Sequence, residues 1–150
     1  MSGGGSLVDR VERARPRVGV FGIGLEAYWA QFAGLRERLQ GYQAEVERRL
    51  SGFGVALVSA GLVDTAPRAR QAGDHFAREG VDLIVCYVAT YATSSQVLPA
   101  VQPRRVPVLV LNLQPVDRLD YANVDTGAWL ASCCACCVPE LSCAFARCDI

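Results

Sequence analysis

The sequence predicts an α/β protein with a doubly wound, flavodoxin-like parallel sheet of about four to five strands and helices on both faces. Residues 81–89 (VDLIVCYVA) and 106–111 (VPVLVL) are short runs, apolar on both faces and rich in valine. Such runs are typical of central strands in a sheet that helices cover on each side. Strand-like and helix-like segments also alternate along the chain, which implies right-handed crossovers between parallel strands.

The first unit combines a strand with a long amphipathic segment. Residues 18–21 (VGVF) predict the strand, and apolar residues then recur at three- and four-residue spacing from Leu25 to Leu50. This stripe predicts one long helix. Gly41 interrupts it, so we expect a joint between two helices near Gln40 and Gly41.

The later units have clearer boundaries. Residues 55–58 predict a second strand, and Asp64 or Thr65 can cap a helix that Gly80 ends. A helix at about residues 94–102 separates the two apolar runs, with Ser94 as its expected cap. A final helix is expected after Asp125 or Thr126.

Composition limits the function classes. The chain has 150 residues, of which 51% are hydrophobic, and its formal net charge is zero. We expect a flexible arm at residues 1–16 and one α/β domain at 17–150. Without a basic excess there is no electrostatic basis for a nucleic-acid partner, and no apolar run is long enough to cross a membrane. A cytoplasmic location is therefore predicted.

Six of the seven cysteines lie in the last 18 residues, and Cys86 lies inside the third strand, where it is expected to be a small core residue. Two overlapping Cys-x-x-Cys pairs have the spacing of a zinc or redox motif, but no second ligand pair follows at the usual separation. We expect reduced thiols without a bound metal. The six are Cys133, Cys134, Cys136, Cys137, Cys143 and Cys148.

Residues 22–27 (GIGLEA) match the dinucleotide-binding pattern G-x-G-x-x-A between a strand and a helix. The second strand offers no carboxylate for a ribose before Asp64, and the glycines equally suit a tight turn. Both interpretations stay open. The only histidine, His75, is expected on the surface of a helix, and no catalytic residue is predicted.

Polar and aromatic side chains follow three of the predicted strands. Ligands of open α/β sheets bind at the carboxyl ends of the strands, and a ring beside a carboxylate suits sugar binding. The expected substrate-binding residues are Glu26, Tyr28, Thr90, Tyr91, Ser94 and Gln114.

Several segments together resemble the N-terminal domain of the L-arabinose and L-fucose isomerase family. They are residues 17–29 (RVGVFGIGLEAYW), 62–65 (LVDT), 86–94 (CYVATYATS), 110–115 (VLNLQP) and 119–127 (LDYANVDTG).

The resemblance implies aldose–ketose interconversion with a divalent metal, usually Mn²⁺, by a homo-oligomer in which this domain closes the sugar site of a neighbouring subunit. Members of the family are several times longer, and their metal ligands lie in other domains. We therefore expect this chain to bind no metal, to contribute only the rim of the site, and to be inactive alone. The alternative is a non-catalytic module of flavodoxin-like or Rossmann-like build that binds a small ligand or a nucleotide.

Overall fold

The computed structural model describes residues 15–115 and residue 122. The elements in chain order are β1 (Arg17–Ile23), a 3-10 helix (Glu26–Tyr28), α1 (Leu35–Ser51), β2 (Ala56–Val63), α2 (Ala66–Glu79), β3 (Leu83–Tyr87), α3 (Ser94–Val101) and β4 (Val108–Leu111).

The four strands form one parallel sheet in the order β2-β1-β3-β4. In the described part of the chain this confirms the predicted fold class. Valine-rich strands pair because their side chains pack well on a pleated surface that is covered on both faces. The chain moves from β1 outward to β2 and then returns to β3, so the direction of winding reverses between β1 and β3.

The crossover from β1 to β2 runs in one direction across the sheet, and those from β2 to β3 and from β3 to β4 run in the other. Because these crossovers have the same hand, α1 lies on one face of the sheet and α2 and α3 lie on the other. On one face Leu35, Leu39 and Val46 of α1 pack with Leu62 and Tyr87.

On the other face α2 and α3 cover the larger core. Phe76 of α2 is completely buried, and its ring lies 6.1 Å from that of Phe21 on β1. Val97 and Val101 of α3 belong to the same cluster.

β2 is longer than the predicted strand at residues 55–58. Its register against β1 shifts between Val20 and Gly22, so that one additional residue of β2 is accommodated in a bulge. Gly61 has φ = 68°, a left-handed conformation that costs glycine little. The bulge allows the strand to continue beyond Val58 to Val63.

Two predictions for the segment between β1 and β2 are wrong. A 3-10 helix follows β1, and α1 begins only at Leu35, after Gly34 adopts a left-handed conformation with φ = 74°. Trp29 and Phe32 still pack against the apolar face of α1, which explains why the stripe looked continuous. The expected joint at Gly41 is wrong, since α1 runs through this exposed position without interruption.

The ends of α2 confirm the predicted signals. The Thr65 side chain accepts a hydrogen bond of 3.3 Å from the Arg68 N–H, and Gly80 ends the helix with φ = 63°. The prediction of a strand at residues 106–111 is confirmed for Val108–Leu111, and within the described residues this strand pairs with β3. Its Leu109 side chain is 47% exposed.

Residues 1–14 of the arm predicted at residues 1–16, the predicted last helix and the six clustered cysteines lie outside the described residues. Within residues 15–115, no helix is long and apolar enough to span a bilayer.

Candidate functional site

The carboxyl ends of the strands form the natural place for a ligand in this topology, at the reversal between β1 and β3. We call this surface the carboxyl edge and define it as residues 24–29, 64–65, 88–96 and 112–115, which follow the four strands.

Asp64 joins three of the loops at this edge. Its backbone carbonyl accepts a hydrogen bond of 3.2 Å from the Glu26 N–H and another of 3.2 Å from the Gln96 side-chain amide. The segments after β1, β2 and β3 therefore meet at one residue, which fixes their relative positions.

The Asp64 carboxylate is also a centre of contacts. The residue is 3% exposed, and its Oδ2 accepts a hydrogen bond of 2.8 Å from the Trp29 indole. A buried carboxylate is costly unless it is paired, and two guanidinium groups supply charge here. Arg36 Nη2 lies 3.9 Å from Oδ2, and Arg68 Nε lies 3.5 Å from Oδ1.

Sequence reasoning considered Asp64 only as a possible helix cap and as a carboxylate too late to hold a ribose. Its position directly after the apolar end of β2 was the available signal. The signal was weak because its partners lie on other segments and at different separations along the chain.

The glycines at residues 22–27 have internal packing roles. A Cβ on Gly22 would lie 2.5 Å from Oε1 of Gln43, and a Cβ on Gly24 would lie 3.0 Å from the Trp29 ring. These glycines admit neighbouring side chains of the protein itself.

Backbone N–H groups of this loop also have hydrogen-bond partners within the protein. The Gly24 N–H donates to the Val63 carbonyl at 2.9 Å, and the Glu26 N–H donates to the Asp64 carbonyl. A dinucleotide fingerprint instead places free N–H groups at the start of a long helix, where they bind the pyrophosphate. Here α1 begins only at Leu35, so the geometry favours the turn interpretation of the glycines.

The structure places the two predicted site residues of the first loop differently. Glu26 is exposed at the start of the 3-10 helix. Tyr28 is half-buried, and its ring meets that of Phe32 edge-on with the centroids 5.8 Å apart. One acidic group and part of one aromatic ring therefore remain accessible at the carboxyl edge.

The third loop requires one correction. Thr90 was expected to contact a ligand, but it is 0% exposed. Tyr91 and Ser94 are partly exposed. The prediction that Ser94 caps α3 is wrong, since Ser94 is the first residue of this helix. Thr93 is the cap residue instead, and its N–H donates to Gln96 Oε1 at 3.1 Å.

Gln114 is exposed in the segment after β4. Because β4 is the neighbour of β3, this amide follows the strand next to β3, and Tyr91 lies in the loop after β3. Adjacent strands are about 4.8 Å apart, so the fourth loop can reach a ligand of sugar size that lies over β3.

Other candidate residues serve the core or a helix face. Cys86 is completely buried in β3, as predicted. His75 is half-buried on α2, with its ring centroid 6.2 Å from that of Phe76. Within residues 15–115 and 122, no group of three or more His, Cys, Asp or Glu side chains could hold a metal ion.

Comparison with known proteins identifies no relative: no protein-family model matches the chain, and neither does any curated protein.

Proposed function

We propose that this chain is the N-terminal α/β domain of a sugar ketol-isomerase of the L-arabinose or L-fucose type, and that its carboxyl edge binds the sugar. The observation that supports the proposal most is the convergence of three loops on Asp64, at the reversal point between β1 and β3. A polar ligand needs groups that are held in fixed positions, and these contacts hold them.

The proposed contacts with the sugar are of two kinds, polar and apolar. Glu26 and Gln114 accept or donate hydrogen bonds to hydroxyl groups, and the accessible parts of the Tyr28 and Tyr91 rings cover C–H faces. Ser94 adds a hydroxyl group. Thr90 supports the third loop from below, since it is buried.

The domain's proposed contribution to the reaction is orientation. Aldose–ketose interconversion moves a proton between adjacent carbons, and a metal polarises the oxygens on them. The described residues do not fit the Mn²⁺ that such enzymes use, because no suitable ligand cluster occurs among them. We therefore assign no proton transfer to them. The proposal also includes a homo-oligomer in which the carboxyl edge closes a neighbour's sugar site.

The test is a titration of the ¹⁵N-labelled chain with L-arabinose and L-fucose, followed by NMR. The expected result is saturable shifts of the Glu26, Tyr91 and Gln114 amides. Gln114→Ala should weaken sugar affinity roughly tenfold, because an unpaired hydroxyl in a site costs about 1 to 3 kcal/mol.

Gln102→Ala is the matched control. Gln102 is also an exposed amide, but it follows α3 at the opposite end from the carboxyl edge, so its loss should not change sugar affinity. Equal effects of the two variants, or no sugar-dependent shifts, would contradict the sugar site. Saturable shifts of residues 22–27 with NADH instead would favour the nucleotide-binding module.

A further inference from the structure

A second concave surface lies outside the carboxyl edge, between the strand β2 and the helix α2. This groove has a volume of about 340 Å³ and is open to solvent. Its lining residues are Ala60, Leu62, Arg68, Gln71, Ala72 and His75. We call it the α2 groove.

Small residues create the space. Ala60 and Ala72 both line the groove, and Gly61, next to Ala60 in the chain, has no side chain. Gly61 is the left-handed residue of the β2 bulge, and its N–H is held by the Ser59 hydroxyl at 3.1 Å. Bulges redirect side chains near binding sites, and this one lies beside Ala60 and Leu62 of the groove lining.

The polar wall of the groove consists of hydrogen-bond donors from one helix face. Arg68, Gln71 and His75 are spaced by three and four residues on α2, so they lie in one row. In residues 15–115, neither Gln71 nor His75 makes a side-chain hydrogen bond. Both remain available to a ligand.

The Asp64 carboxylate orients the Arg68 side chain, and most N–H donors of its guanidinium group stay available to a ligand. Its Nε lies 3.5 Å from Oδ1 of buried Asp64, and the side chain is 49% exposed. Within the described residues this is its one ion pair, which leaves the two terminal amino groups of the guanidinium for another partner. A planar guanidinium with two parallel N–H donors matches a phosphate or carboxylate group.

Among the described residues that line the α2 groove there is no carboxylate. The neighbouring groove between α2 and α3 differs in this respect, since Arg70 there shares the surface with Asp74. In that second groove an anion meets the exposed Asp74 carboxylate, whereas in the α2 groove Arg68 already pairs through its Nε with the buried Asp64 carboxylate, at 3.5 Å.

From this arrangement we propose that the α2 groove binds a small organic oxyanion, with its phosphate or carboxylate on Arg68 and Gln71 and its carbon skeleton against Ala60 and Ala72. His75 closes the far end of the row. The volume is at the lower end of the range for ligand pockets, roughly 300 to 1,000 Å³, which fits a molecule of metabolite size. This proposal does not depend on the sugar site.

The test is an NMR titration of the full chain at pH 7 and low ionic strength with three probes: inorganic phosphate, glycerol phosphate and succinate. The expected result is saturable shifts confined to Arg68, Gln71, His75 and the β2 bulge. Tighter binding of glycerol phosphate than of succinate identifies a phosphate ester as the ligand class, and the reverse identifies a carboxylate.

Two variants and a control decide the assignment. Arg68→Gln should weaken binding at least tenfold. Gln71→Glu places a negative charge in the groove without touching the Asp64 contact, so it should also weaken binding at least tenfold in a folded protein. Arg70→Gln removes the same charge from the other groove and should change the affinity less than twofold.

The proposal is overturned if none of the probes gives saturable shifts. It is also overturned if Arg68→Gln and Arg70→Gln weaken binding equally, since that result would indicate attraction to the overall charge of α2. Circular dichroism of each variant confirms that it is folded before its affinity is compared.

Discussion

The indole N–H of Trp29 donates a hydrogen bond of 2.8 Å to Oδ2 of Asp64, and this bond joins the segment after β1 to the end of β2. The acceptor is buried, so few water molecules compete with the indole for this carboxylate oxygen. Together with the two hydrogen bonds to the Asp64 carbonyl, it makes Asp64 the structural centre of the carboxyl edge.

The first prediction measures this bond by a double-mutant cycle. Asp64→Ala should lower the free energy of unfolding by about 1 to 3 kcal/mol, because it leaves the partly buried Trp29 donor unpaired. Trp29→Phe should cost less, and the coupling energy between the two changes should be about 1 kcal/mol or more. Urea denaturation followed by circular dichroism gives all four values.

Asp74→Ala is the control for this cycle. Asp74 is exposed on α2, so its removal should change stability by less than about 0.5 kcal/mol. Additive effects of the Asp64 and Trp29 changes would show that the bond does not hold the two segments together.

The second prediction concerns the contact between Gly22 and Gln43. Gly22→Ala should lower the free energy of unfolding by about 1 to 3 kcal/mol, because its Cβ would lie 2.5 Å from Oε1 of buried Gln43. In a Gln43→Ala background the same change should cost much less. A cost that is equal in both backgrounds would assign the requirement for glycine to the backbone.

The third prediction is a pH dependence on α1. Hydrogen bonds from Arg48 and then Arg49 lower the pKa of Glu45 from 4.5 to about 2. A lowered folded-state pKa stabilises the protein above pH 4.5, and this contribution disappears as the pH falls through 2. The Glu45 carboxylate should therefore titrate near pH 2 when it is followed by NMR.

Arg48→Gln and Arg49→Gln should each raise the pKa of Glu45, and concentrated salt should do the same because these charges are exposed. A Glu45 carboxylate that titrates near 4.5 in the unmodified protein would contradict the hydrogen bonds.

The sequence was sufficient to predict the order of strands and helices, because apolar runs and end signals such as Thr65 and Gly80 act locally. Periodicity alone could not separate the 3-10 helix from α1. Residues from Leu25 to Phe32 keep the helical spacing of apolar side chains, and only the backbone at Gly34 shows that the helix begins later.

The carboxyl edge was predicted as a location but not as a set of contacts. Strand ends indicate where polar residues collect, and Glu26 and Gln114 are exposed there. The pairing of Asp64 with Trp29 and Arg36 depends on how the first loop folds back over β2. The burial of Thr90 depends likewise on the path of the third loop, which no local pattern specifies.

The last prediction compares two helical glycines whose surroundings differ. A Cβ on Gly41 in α1 would have no neighbouring atom of the described residues within 4 Å, whereas a Cβ on Gly73 in α2 would overlap the Pro99 carbonyl oxygen of α3. Both changes to alanine gain the same helix propensity, about 0.5 to 1 kcal/mol. Gly41→Ala should therefore stabilise the protein by that amount.

Gly73→Ala should instead destabilise it by about 1 to 3 kcal/mol, because α2 and α3 must separate to admit the methyl group. The difference between the two variants in urea denaturation measures the packing of these helices, since the propensity gain cancels. Stabilisation by both changes would mean that α2 and α3 are not in close contact in solution. Destabilisation by Gly41→Ala would instead restore the helix joint that the sequence suggested at this position, because alanine favours a continuous helix and penalises a break.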